Sequence, residues 1–405
     1  MKRLVSTCLI ISLFVSCGTK NKRRDGNSTE PIIVKIDPRS REVINMSDFI
    51  DSVKYVKLEL TDNSLIKNVS KIFEASDKII IVDYSMHEIF VFSSGGKFLS
   101  KVSRRGRGPG EYIRIQNVMY DALNDNLIVY AGAPYWKMIH YTLEGSVVKE
   151  ISSFDEPRSA RDIINLPNGN FLCYDFLAMG KGDFGLWETD AEGKFVRWIL
   201  KQQEFHPTVA GYDTFLYRLP DNKVGFMYMT SEDTFIYEND SLRKCISYEV
   251  NGKTAKDYYG VNNNDFAEHF MNGVFFNVRL NSSDKGKYVF TKWLDETMFP
   301  YYTLVDKEKG SVRVGRTLNV ELPDGTTILG ANENRKYDVT EYDMVNNNME
   351  NAMIISVYAG AILDALEDEN ISEKTKQDLK KLTDEMTARQ IEEMNPVLQI
   401  LYVKK

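Results

Sequence analysis

One order of short apolar runs and turn signals, repeated along most of the chain, restricts its fold more than any other feature. Ile79-Ile80-Ile81-Val82 is followed by Ile89-Phe90-Val91-Phe92, a Ser94-Gly95-Gly96-Lys97 turn and Phe98-Leu99-Ser100-Lys101-Val102. The order returns at Asn124-Asp125-Asn126, with Leu127-Ile128-Val129-Tyr130, Met138-Ile139-His140-Tyr141, a turn at Glu144-Gly145, and Val147-Val148. It returns again from Leu166-Pro167-Asn168-Gly169-Asn170 through Phe171-Leu172-Cys173-Tyr174 and Gly185-Leu186-Trp187 to Glu192-Gly193 and Phe195-Val196. Further copies open at Leu219-Pro220-Asp221-Asn222, with a turn near Asn239-Asp240, and around Asn272-Gly273, with Lys309-Gly310.

Each copy reads as a strand, a longer connection, a second strand, a tight hairpin and a third strand. The period of about 40 to 55 residues is the length of one propeller blade, and about six such units fit the chain. A blade cannot bury both its faces alone, so the units must close into a ring, which also hides edges that an open sheet would expose. The expected fold is therefore all-β, a six-bladed β-propeller over residues 31–405. From about residue 350 to 394 the pattern changes to helical spacing, with Ser372 as an N-cap, Thr375 three residues on, and Leu379, Leu382, Met386 and Ile391 on one face. This predicts an amphipathic helix, inserted in the last blade and packed on one rim, that runs until Asn395-Pro396 stops it. Val397 to Val403 then returns to strand and is expected to share the last blade with an N-terminal segment between about residues 31 and 60.

The N-terminus carries an address. Met1-Lys2-Arg3 is positive, Leu4 to Val15 is apolar but too short to span a bilayer, and Ser16-Cys17-Gly18 follows. Residues 1–16 resemble a bacterial lipoprotein signal peptide, although Phe14 is bulkier than the usual residue at that position. The resemblance implies acylation of Cys17 and a membrane partner through that lipid. Residues 17–30 read as a flexible tether whose Lys20, Lys22, Arg23 and Arg24 would lie beside lipid headgroups. Surface-exported lipoproteins of gut-type Bacteroidota resemble one another in having acidic residues after the cysteine, so the basic tether favours the outer membrane's periplasmic face, with the cell surface as the alternative.

The formal charge is −7, and cleavage before Cys17 removes Lys2 and Arg3 but no acid, leaving −9. That excludes nucleic acid as a natural partner. After the signal leaves with Cys8 and the lipid takes Cys17, Cys173 and Cys245 remain in apolar runs, either as buried thiols or as one disulfide.

The segment Gly106-Arg107-Gly108-Pro109-Gly110-Glu111-Tyr112 cannot continue a strand: its glycines permit positive φ, and Pro109 fixes a bend and lacks a donor. An inter-blade crossing is the simplest reading, with an anion site built from its backbone N–H groups and Arg104, Arg105 and Arg107 as the alternative. The segment resembles the glycine-rich link between blades of NHL-type propellers, and its form resembles the six-bladed propeller lipoproteins of Bacteroidota. Asp51 to Glu59 is similar to that family's opening strand and Asn395 to Ile400 to its closing one.

No strong catalytic signature is present. His87, His140, His206 and His269 are dispersed, and there is no HExxH, CxxC or GxSxG, so no metal set and no cofactor are implied. Ser282-Ser283-Asp284-Lys285-Gly286 resembles an Asp-box turn of sialidase propellers, but Val289 stands where an aromatic belongs. Asp338 and Glu341 form one of many acidic pairs in this chain, without a geometry to make them acid and base. The expected ligand surface follows from architecture: Arg104, Arg105, Arg107, Glu111, Tyr112, Tyr135, Trp136, Arg158 and Arg161 lie beside entries to inner strands. Two functions remain open at this point. One is a binding scaffold for a glycan, peptide or partner protein at the channel face; the other is a hydrolase or lyase with dispersed channel residues, since NHL-like relatives include a metal-dependent lyase.

Overall fold

The computed structural model describes residues 30–405 apart from 134–135, 153–159, 176–183, 203–214, 228–230, 259–260, 262–264, 266–267, 270–271, 273–276, 331–343 and 385. The signal and tether expectations, with Arg158, His206, Asp338 and Glu341, therefore lie outside the described residues.

The chain starts with three strands, β1 (Ile32–Ile36), β2 (Glu42–Asn45) and β3 (Ile50–Lys57), before the repeats begin. Blade 1 is β4 (Lys71–Ala75), β5 (Lys78–Asp83), β6 (Glu88–Ser93) and β7 (Phe98–Val102), a four-strand antiparallel meander. Blade 2 is β8 (Ile115–Asp121), β9 (Asn126–Ala131), β10 (Lys137–Thr142) and β11 (Val147–Ile151); blade 3 is β12 (Asp162–Asn165), β13 (Phe171–Asp175), β14 (Phe184–Thr189) and β15 (Phe195–Gln202). Blade 4 is β16 (Leu216–Arg218), β17 (Val224–Phe226), β18 (Asp233–Glu238) and β19 (Ser241–Val250), and blade 5 is β20 (Val278–Lys285), β21 (Tyr288–Leu294), β22 (Pro300–Asp306) and β23 (Ser311–Asn319). Blade 6 takes β24 (Met344–Asn347), β25 (Ala352–Val357) and β26 (Val397–Val403) from the C-terminus and β3 from the N-terminus.

The fold is thus the six-bladed propeller that the repeat implies. The hairpins at 94–97, 143–146, 190–194, 239–240 and 307–310 each join the third and fourth strands of a blade. The fifth copy starts later than Asn272-Gly273, at Val278, because a long crossing precedes it.

Strand periodicity explains the packing. In β5, Ile79 and Ile81 enter the cluster between blades 6 and 1, while Ile80 and Val82 enter the cluster between blades 1 and 2. A run buried on both faces is what a blade in a ring requires. Further clusters fill the seams between blades 2 and 3, 3 and 4, 4 and 5, and 5 and 6.

The clasp forms as expected: β26 pairs antiparallel with β3 from Val397↔Lys57 to Val403↔Ile50. The rest of the N-terminal segment does something the repeat does not announce. β1 adds in parallel to β19 at the outer edge of blade 4, and β2 adds in parallel to β23 at the outer edge of blade 5.

The helical insertion joins β25 to β26, but the single helix expected through to Asn395 is broken. It comprises α1 (Ala359–Glu367), α2 (Glu373–Leu382) and α3 (Ala388–Glu392). Ser372 does cap α2, accepting from the Thr375 N–H. The break follows Leu382, where the Thr383 hydroxyl donates back to the Leu379 carbonyl, and a Thr387/Gln390 capping box then starts α3. Ile362, Leu379 and Ile391 bury themselves over the seam between blades 5 and 6. Cys173 and Cys245 are free thiols on blades 3 and 4, and burial pushes the Cys245 thiol up to about 12.

Candidate functional site

The first strands of the blades surround the axis, and their polar side chains bond blade to blade. Lys71 Nζ on β4 donates to Asn117 Oδ1 (3.0 Å) and Val118 O (2.9 Å) on β8. Asn117 Nδ2 donates to Asp162 Oδ1 on β12, and Asp162 Oδ2 accepts from the Phe215 and Leu216 N–H groups at 2.7 and 2.8 Å. Arg218 Nη2 donates back to Asn165 O at 2.6 Å. Arg279 on β20 reaches Thr234 Oγ1 of blade 4 (3.1 Å), and Lys285 reaches Asn347 Oδ1 (2.9 Å) and Met349 O (2.6 Å) of blade 6. A short parallel pairing of β24 with β4 completes the circuit. Burial in this wall pushes the Lys71 ammonium down, against the pull of Asp162, and pushes the Asp162 carboxyl up, against Lys71 and three backbone N–H groups. These groups hold the ring together.

The glycine segment is an inter-blade crossing, from β7 to β8. Five of its backbone donors are taken by the protein itself. Gly106 N donates to Tyr112 O (3.0 Å), Gly108 N to Glu111 Oε2 (2.9 Å), Gly110 N to Glu150 Oε2, Glu111 N to Gly108 O and Tyr112 N to Arg104 O. Gly110 has φ +68°, and a Cβ there would meet Val147 Cγ2 at 2.5 Å, so only glycine fits. Two carboxylates thus fill the nest that an anion would need.

The residues expected at the ligand surface divide accordingly. Tyr112 is fully buried in the seam between blades 1 and 2, edge-on to Tyr141, with its hydroxyl donating to His87 O (3.0 Å). Glu111 closes the crossing. Arg104 Nε donates to Gly145 O (3.0 Å). Trp136 is half-buried and stacked on Tyr130, with centroids 5.5 Å apart, and Tyr135 lies outside the described residues. Arg161 begins the entry to β12, its N–H donating to Tyr174 O. Arg105 and Arg107 are exposed and have no carboxylate or hydrogen-bond partner for their guanidinium groups among the described residues.

Two residues near Arg105, His87 and Arg114, are not among the sequence candidates. His87 sits in the loop between β5 and β6, with φ +56°, a region uncommon for a side chain of this size. Asp83 Oδ1 shapes that loop by accepting from the N–H groups of Ser85 (2.9 Å) and Met86 (3.0 Å). The His87 carbonyl is held by Tyr112, whose backbone bridges to Arg105, and its Nδ1 accepts from Ile115 N at 3.4 Å, next to exposed Arg114. Burial, then Arg105 and Arg114, push the His87 imidazole below its ordinary value, against Asp83. Arg114 also has no side-chain partner among the described residues. Its carbonyl accepts from Gly132 N at 3.1 Å, which places the loop carrying Trp136 beside it. Extending the glycine segment by two residues would have included Arg114, whereas nothing local pairs His87 with it.

Among the described residues, no three His, Cys, Asp or Glu side chains are grouped to hold a metal. His140 lies on β10 with its Nε2 buried and unpartnered, and His269 is exposed with Nδ1 near Asp265 O. The Asp-box-like residues form the end of β20 and its turn, where Asp284 pairs with Lys307 at 2.6 Å.

The family model described as Domain of unknown function DUF4934 matches residues 31–402. Among solved structures, the chain is similar to a "Putative exported protein" of Bacteroides fragilis NCTC 9343, at 17% identity and a TM-score of 0.72, over 92% of this chain and 100% of that one. It is also similar to a member of the duf4221 family from Bacteroides vulgatus, at 8% identity and a TM-score of 0.51, over 88% of this chain and 98% of that one. Both likenesses concern the fold, and they agree with the resemblance to Bacteroidota six-bladed propellers. No curated protein matches in sequence. The chain belongs to the DUF4934 family.

Proposed function

We propose that this member of the DUF4934 family is an exported, lipid-anchored binding scaffold that recognises a glycan, peptide or partner protein at the head of the seam between blades 1 and 2. One observation carries the reading. The polar groups around the axis bond blade to blade, whereas Arg105, Arg107 and Arg114 stand exposed without acidic partners in a chain with surplus carboxylates. In an acidic protein, unpaired arginines gathered at one place suit a ligand better than they suit stability. In the loop whose Gly132 N–H bonds the Arg114 carbonyl, half-buried Trp136 packs against the cluster between blades 2 and 3 and adds an apolar surface of the kind that small-molecule and peptide sites use.

Export and anchoring rest on the signal ending at Cys17, and the basic tether favours the outer membrane's periplasmic side. The name of the Bacteroides fragilis protein supports export. Two experiments test the reading. In fractionated cells, wild type should sit in the outer-membrane fraction and Cys17→Ala should leave it; equal membrane retention overturns anchoring. On glycan and peptide arrays, the triple variant Arg105→Ala, Arg107→Ala, Arg114→Ala should lose the wild-type signals, while Leu123→Ser, at the opposite end of the strands, should keep them. Turnover of an array compound, or binding unchanged in the triple variant, overturns the scaffold reading.

A further inference from the structure

We propose that His87, Arg105 and Arg114 form a carboxylate-binding subsite, so that the ligand of this propeller is an acid whose carboxylate sits between the two guanidinium groups and the His87 ring. The proposal rests on the recognition surface argued above and names the chemistry it takes.

Backbone contacts hold the three residues beside one another. The Tyr112 hydroxyl fixes the His87 carbonyl, and the Tyr112 backbone bridges to Arg105. On the other side, Ile115 N donates to His87 Nδ1, which sets the neutral tautomer with the proton on Nε2 and ties the ring to the residue after Arg114. The subsite therefore offers one neutral N–H donor and two guanidinium forks. The charged groups acting on the ring are Arg105, Arg114 and Asp83, and the neighbouring Glu88 carboxylate, on the Tyr112 side, is engaged by the Ser103 hydroxyl and Lys101. Asp83 is fully buried and occupied by the N–H groups of Lys67, Asn68, Ser85 and Met86, so it does not pair with the arginines.

Phosphate fits less well than carboxylate. Phosphate sites use convergent backbone N–H groups, and the neighbouring glycine crossing gives its own to Glu111, Glu150 and backbone carbonyls. The three residues of the subsite offer side-chain donors, and a planar carboxylate matches the guanidinium fork in a bidentate pair.

The test uses the whole protein, with D-glucuronate as the carboxylate probe and glucose and inorganic phosphate as comparators. The chain has four histidines, so imidazole resonances are assigned with His87→Asn, which tolerates positive φ. Glucuronate should raise the His87 pKa, because a bound anion favours the imidazolium, while glucose should leave it unchanged. Arg105→Gln and Arg114→Gln should each weaken glucuronate binding by about tenfold, the loss of one charge-assisted pair. Both residues are exposed, so the fold should survive, as a melting curve checks. A glucuronate titration that leaves His87 unmoved, arginine variants that bind like wild type, or a phosphate response matching that of glucuronate would each overturn the carboxylate subsite. If the arrays instead return neutral ligands that the triple variant loses, the recognition surface stands and this inference alone falls.

Discussion

At Lys285, burial and bonding act against each other. Its ammonium donates to three oxygens of blade 6, yet burial brings its pKa down to about 8 from an ordinary 10.5, with Asp284 opposing. Because the folded value lies below the unfolded one, the cost of burying the charge is fully present below about pH 8. It is relieved as pH rises toward 10.5, where the unfolded chain still holds the proton. The stability difference between wild type and Lys285→Met should therefore move in favour of wild type from pH 7 to pH 10; denaturant titrations with a pH-independent difference would contradict this. Asn395 is a simpler case. Fully buried, its side chain accepts from Ile66 N (2.9 Å) and donates to Glu59 O (3.0 Å) and Ser64 O (2.7 Å). Asn395→Ala should cost about 3 kcal/mol by leaving those backbone groups unsatisfied, read as a lowered denaturation midpoint. Neither role was legible in the sequence, where Lys285 looked like a turn residue and Asn395 a helix stop. Their partners lie far along the chain, and single-sequence patterns report only near neighbours.

Elements were more legible because their signals are local. The tight hairpins fall where Gly and Asn-Asp turns mark them, and the Val397–Val403 strand ends up beside β3 because its apolar residues need two buried faces. Deleting residues 397–405 should remove the middle of blade 6 and produce aggregation; a truncated protein with wild-type solubility and melting would contradict the clasp. The helix break at Thr383 escaped notice because apolar spacing continues across it, while the side-chain-to-backbone bond that ends α2 does not alter that spacing. Parallel addition of β1 and β2 was also invisible, since an added edge strand needs no repeat of its own. Their apolar positions Val34, Ile36 and Ile44 are buried, so removing residues 31–45 should lower the melting temperature while leaving blades 1 to 3 folded. Hydrogen exchange confined in its changes to blades 4 to 6 would bear that out, and uniform loss of protection would not.

For the whole molecule, closure separates two jobs among residues of similar chemistry. Lys71, Asn117, Asp162, Arg218 and Arg279 stitch one blade to the next, and a ring stitched at its centre keeps its outer loops in fixed relation. Arg105 and Arg114 stand outside that stitching, where a rigid scaffold can present them. The ring itself could be inferred from the repeat, whereas only part of the proposed site is local in sequence: Arg105 and Arg114 flank the glycine crossing, and His87 comes from another loop. We assign recognition to the seam between blades 1 and 2. Hydrogen–deuterium exchange on the whole protein, with and without a ligand returned by the arrays, tests it most directly. Added protection is expected in residues 84–88 and 103–116, whereas protection concentrated in the turns at 76–77, 122–125 and 166–170, at the opposite end of the strands, would contradict this assignment.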